Sequence, residues 1–123
     1  MNIFFYAVQK STEALDVLNW LKALRPPLHI QVLPSGLGLS SEESMGIRNG
    51  DLLIIYVRNQ EELQTLLDSK NEYSNYKIYL IFQKDDPELI KAGVLLNSKH
   101  YSSVEKNYIH TEETIANICK HNS

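Results

Sequence analysis

Two rhythms of apolar residues alternate along this chain. Unbroken apolar stretches occur at Ile3 to Val8 (Ile-Phe-Phe-Tyr-Ala-Val), Leu52 to Val57 (Leu-Leu-Ile-Ile-Tyr-Val) and Ile78 to Phe82 (Ile-Tyr-Leu-Ile-Phe). Short runs of this kind, rich in β-branched and aromatic residues, read as strands buried on both faces. The middle run is introduced by Asn49-Gly50-Asp51 and closed by Arg58-Asn59, both turn-forming sequences. His29 to Leu33 instead alternates apolar and polar residues, which suits a strand at a sheet edge, and Pro34-Ser35-Gly36 ends it. Tyr101 to Val104 is a fifth, weaker strand pattern.

Helical spacing fills the intervals. Ala14, Val17, Leu18, Leu21 and Leu24 form one stripe, with Ser11 or Thr12 as the cap and Pro26-Pro27 as the stop. Ser40 and Glu43 have capping-box spacing ahead of a short helix through Arg48. Asn59 caps a helix carrying Glu62, Leu63, Leu66 and Leu67, and 69–76 reads as fraying helix and loop. Asp86-Pro87-Glu88 is an acidic cap followed by proline at the first helical position; that helix carries Leu89, Ile90 and Val94 and extends towards Leu95-Leu96. Thr111 caps a last helix with Ile115, Ile118 and Cys119 on its buried face.

Five β-α units in succession predict an α/β fold: a five-stranded parallel sheet between helical layers. The right-handed crossover rule leaves few topologies, and the flavodoxin-like order 2-1-3-4-5 places the alternating strand on an edge and the three continuous runs inside. The expectation is a single domain over residues 1–123.

Composition narrows the function classes. The net charge of −3 supplies no global basic field for nucleic acid or an anionic membrane, and no apolar run approaches the roughly 20 residues of a membrane span. The single cysteine, Cys119, forms no internal disulfide, and the start shows no secretory signal pattern, so the expectation is a cytoplasmic domain.

With strands, order and length in place, the chain resembles the receiver domain of two-component response regulators over nearly its whole length. The local likeness is Asp51-Leu-Leu-Ile-Ile-Tyr56-Val57, similar to a receiver third strand of the form D-L-V-L-L-D-V. The second Asp of that pattern accepts phosphate, and Tyr56 stands in its place. Where receivers carry Mg²⁺-binding acids after strand 1, this chain has Ala7, Val8 and Gln9. Phe82 replaces the Ser or Thr ending strand 4. Lys106 matches the lysine after strand 5 without the following proline. Phosphorylation of a carboxylate needs that nucleophile, and Mg²⁺ needs hard oxygen ligands. The resemblance therefore implies a degenerate receiver, a pseudo-receiver in which Ala7, Val8, Tyr56, Phe82 and Lys106 mark the former phosphorylation site.

The remaining candidate chemistry is sparse. Lys10-Ser11-Thr12 lacks the glycines of a phosphate loop and reads as a helix cap. Asp85-Asp86 lacks a third metal ligand, and Asp86 is accounted for as a cap. His29, His100, His110 and His121 have no zinc spacing, and Cys119 falls on an apolar stripe as a buried thiol. No cofactor or metal is expected. Tyr73, Tyr76, Tyr79, Tyr101 and Tyr108 suit core packing or a protein interface better than base stacking.

Two functions follow as expectations. The first is a non-catalytic regulatory module that binds a protein partner or itself. The resemblance implies that it does so through the fourth helix, fifth strand and last helix (87–120), with Lys91, Tyr101 and Lys106 on the outer face. The second is a ligand-binding protein or enzyme that uses Gln9, Lys10, Ser35, Arg58, Lys84 and Asp85 along the carboxyl edge of the sheet.

Overall fold

The computed structural model describes residues 3–9, 11–23, 30–32, 51–68, 77–84, 86–93, 100–104 and 114. Eight elements run in the order β1 (Ile3–Ala7), α1 (Thr12–Lys22), β2 (Ile30–Val32), β3 (Leu52–Val57), α2 (Gln60–Asp68), β4 (Lys77–Phe82), α3 (Pro87–Gly93) and β5 (His100–Ser103). The five strands form one sheet in the order β2-β1-β3-β4-β5, and every neighbouring pair is parallel. This is the three-layer, flavodoxin-like α/β architecture that the strand patterns predict.

Two-residue alternation divides each central strand between two cores. Phe4, Tyr6, Leu53, Ile55, Val57, Ile78, Leu80 and Phe82 pack with Leu63 and Leu66 of α2 and Leu89 of α3. Ile3, Phe5, Ala7, Leu52, Ile54, Tyr56, Tyr79 and Ile81 pack with Ala14, Val17, Leu18 and Leu21 of α1. Burial on both faces explains why β1, β3 and β4 are continuous apolar runs. Tyr79 is a core residue, buried against the α1 layer.

Local chemistry fixes the helix starts. Ser11, in extended backbone, is the α1 cap; its Oγ accepts the Ala14 N–H at 3.1 Å. Asn59 Oδ1 accepts the Glu62 N–H at 3.0 Å, and Asp86 Oδ1 accepts the Glu88 N–H at 3.0 Å ahead of Pro87. Each cap satisfies one of the backbone donors that a helix leaves unpaired in its first turn. The α1 stripe is buried at Ala14, Val17, Leu18 and Leu21, while Leu24 lies outside the described residues. On α3, Gly93 lies so close to β4 that a Cβ there would stand 2.8 Å from Leu80 Cδ1 and 3.0 Å from Phe82 Cζ.

The edge strands are short. β2 is half-buried at Ile30 and exposed at Gln31 and Val32, so its alternation does not bury Val32 among the described residues. β5 begins at His100, one residue earlier than its apolar pattern suggests, because His100 pairs with Tyr79 and its ring stacks on the tyrosine at 6.3 Å. β1 ends at Ala7, one residue short of its apolar run, and Val8 remains buried beyond it. The predicted helix at 40–48 and the segments 69–76 and 94–99 lie outside the described residues. So does the last helix apart from Thr114, whose backbone is helical. Among the described residues no helix is long and apolar enough to cross a membrane.

Candidate functional site

The carboxyl ends of β1, β3 and β4 meet at one edge, and pairing register sets what they present there. Ala7, Tyr56, Ile81 and Ser102 form a row across four strands on the α1 side. Tyr56 is 1% exposed, and its hydroxyl donates to Gln83 Oε1 just past the end of β4. Gln83 is held by the sheet itself, since its N–H donates to the Val57 carbonyl at 2.9 Å and so extends the β3–β4 ladder by one bond.

Beyond Tyr56 the edge becomes polar. Arg58 Nε donates to Glu62 Oε2 at 2.9 Å, the Arg58 backbone N–H donates to Glu62 Oε1 at 2.9 Å, and Arg58 Nη2 donates to Gln9 Oε1 at 2.7 Å. One side chain thereby ties the ends of β1 and β3 to the first turn of α2. Glu62 is almost wholly buried, its side chain 4% exposed against 27% for Arg58. A buried carboxylate is tolerated there because both oxygens are hydrogen-bonded and the positive end of the helix dipole faces them. The Glu62 hydrogen bond, and then its charge, hold the Arg58 guanidinium above its ordinary value; partial burial opposes this, and Glu13 and Tyr56 add smaller contributions.

The four described residues of the site that the receiver resemblance implies do not converge. Ala7 and Tyr56 lie on the α1 side, whereas Val8 and Phe82 lie in the opposite core with α2 and α3. Phe82 is covered by Gly93 and by Tyr101, whose ring meets it edge-on at 6.4 Å. Lys106 lies outside the described residues.

Of the predicted ligand edge, Gln9 and Arg58 are brought into contact, and Lys84 is exposed at the end of β4. Lys10, Ser35 and Asp85 lie outside the described residues. Lys91 on α3 and Tyr101 on β5 are exposed. Glu62 and Gln83 also belong to the edge, although sequence reasoning gave them no such place. Glu62 read only as a helix-start residue, and a lone glutamine after a strand carries no motif. No family model, curated protein or solved structure matches this chain.

The edge must therefore be read from its own groups. Among the described residues it offers one guanidinium, one carboxylate already engaged by it, two glutamine amides, a buried phenol and the exposed Lys84 ammonium. No group of three metal-ligating side chains occurs among the described residues. The Ser102 hydroxyl is buried in the same row as Tyr56 and has no hydrogen-bond partner among the described residues. The next residue of that row is Ile81, which places no base beside it.

Proposed function

We propose that the chain is a non-catalytic, receiver-like module of a cytoplasmic signalling system of the two-component type. It acts by contacting a protein partner or a second copy of itself, not by taking phosphate on an aspartate. The observation that supports this reading is the state of Tyr56. It occupies the acceptor position of the resembled strand, buried between Ala7 and Ile81 in register, with its hydroxyl committed to Gln83. A phenol in that setting supplies neither the carboxylate nucleophile nor the hard, charged oxygen ligands that phosphoryl transfer with Mg²⁺ requires.

The contact surface assigned to this role is the α3–β5 side, with Lys91 and Tyr101 exposed on it; Lys106, which the receiver resemblance adds, lies outside the described residues. Tyr101 combines a ring packed on Phe82 with 53% exposure. A fixed aromatic body with a wet polar tip is the kind of anchor that interfaces favour.

Incubation with acetyl phosphate and Mg²⁺, followed by intact-mass measurement, is expected to leave the mass unchanged. Label on any Asp or Glu would overturn the reading. Light scattering across a concentration series, compared between the native chain and Tyr101→Ser, tests self-association through this surface.

A further inference from the structure

Gln9, Tyr56, Arg58 and Gln83 come from the ends of three adjacent strands, β1, β3 and β4. Between β1 and β3 the chain leaves the sheet in opposite directions: β1 continues into α1 on one face, and β3 into α2 on the other. Parallel sheets bind ligands above such a point because no crossover covers it.

The hydrogen-bonding inventory there is lopsided. Gln9 Oε1 accepts from Arg58 Nη2, and because a guanidinium only donates, this contact fixes which end of the Gln9 amide is occupied. Gln83 Oε1 accepts from Tyr56, and both Glu62 oxygens accept from Arg58. Each of these oxygens is engaged, whereas the Gln9 and Gln83 amide NH₂ groups and Arg58 Nη1 have no partner among the described residues. What the cluster leaves over is donors, and one of them is charged.

We propose that this edge binds an oxyanion group of a small ligand, a carboxylate or a phosphate, at the carboxyl ends of β1 and β3. Arg58 is its charged fork, and the amides of Gln9 and Gln83 are flanking donors. Arg58 is held on two sides by Glu62 and Gln9, so much of the cost of ordering it is met before a ligand arrives. A guanidinium end presents parallel N–H groups that match two oxygens of a carboxylate or phosphate.

Charge alone does not drive the binding. Glu62 offsets Arg58, and Glu13 in the first turn of α1 acts on the same guanidinium. Recognition therefore rests on donor placement, and the affinity expected for one such fork is weak, about millimolar. The site does not depend on the partner-binding reading above and is read by a different measurement.

The test is an NMR titration of the ¹⁵N-labelled chain with inorganic phosphate, and separately with acetate, at ionic strength held constant with chloride. Saturable shifts of the Gln9, Arg58 and Gln83 signals are expected, with a response to one anion alone assigning the oxyanion. Arg58→Lys keeps the charge and loses the fork, and is expected to weaken binding about tenfold. A double variant, Gln9→Leu with Gln83→Leu, keeps the Arg58–Glu62 pair and provides the same test if Arg58→Lys does not fold. Absence of saturable shifts with both anions up to tens of millimolar overturns the proposal. So does binding left unchanged in a folded variant.

Discussion

Gly93 sets how closely α3 approaches β4, and Gly93→Ala measures that approach. The added Cβ would lie 2.8 Å from Leu80 Cδ1 and 3.0 Å from Phe82 Cζ, closer than carbon atoms normally pack. Both neighbours are fully buried, Leu80 at 1% and Phe82 at 0% exposure, so neither can give way by turning into solvent. Phe82 is further braced by Tyr101. Inserting a methyl group into a filled core costs about 1–3 kcal/mol. Alanine returns up to about 1 kcal/mol through better helix propensity and a less flexible unfolded chain. The expected net is a loss between about 0 and 3 kcal/mol, centred at about 1.5 kcal/mol, or several degrees in Tm for a domain of this size.

Urea unfolding followed by circular dichroism reads this as a lower midpoint with an unchanged slope. The double variant with Leu80→Ala separates packing from propensity. Removing Cδ1 relieves the contact, so the cost of Gly93→Ala should shrink by roughly 0.5–3 kcal/mol of coupling in that background. A Gly93→Ala protein more stable than the native one, or a double variant showing no coupling, would refute the close approach of α3 and β4.

Two further substitutions test the site and the helix that flanks it. Tyr56→Asp introduces the aspartate that receivers carry in the strand this one resembles, but it places a carboxylate in a core row between Ala7 and Ile81 and removes a large buried ring. The expected cost is roughly 3–5 kcal/mol in denaturant unfolding, with no gain of acetyl-phosphate labelling; native-like stability would contradict the packing described for Tyr56. Ser11→Ala removes the acceptor for the Ala14 N–H and should lower stability by about 1 kcal/mol, with faster hydrogen exchange in the first turn of α1. Unchanged exchange there would mean that another group caps the helix.

Much of the fold was legible because its causes are local. Doubly buried strands must be apolar at every position, so β1, β3 and β4 appear as unbroken runs, and the polar alternation of β2 marks it as an edge. Caps at Ser11, Asn59 and Asp86 are decided within four residues, and each takes the place its spacing indicates. The site was legible only in part. Grouping Tyr56 with Phe82 required knowing which face each side chain takes, and that parity is set by pairing register between strands, which no single strand encodes. Gln83 entered the edge for the same reason, through a ladder bond to Val57 that only the assembled sheet provides. The Arg58 contact with Gln9 joins positions that are adjacent only once β1 lies beside β3.

That same β1–β3 pairing has a consequence for how the chain is made. Ile3 pairs with Leu52, so β1, made before β3, waits 49 residues for its central partner. At roughly 5–20 residues per second, the interval is on the order of 2–10 s. Throughout it, Ile3 to Ala7 is a hydrophobic segment whose backbone hydrogen bonds to β3 cannot form. A strand that ends up buried on both faces is thus the one longest without its central partner during synthesis, and it is the segment of the described chain on which a chaperone would have most to act.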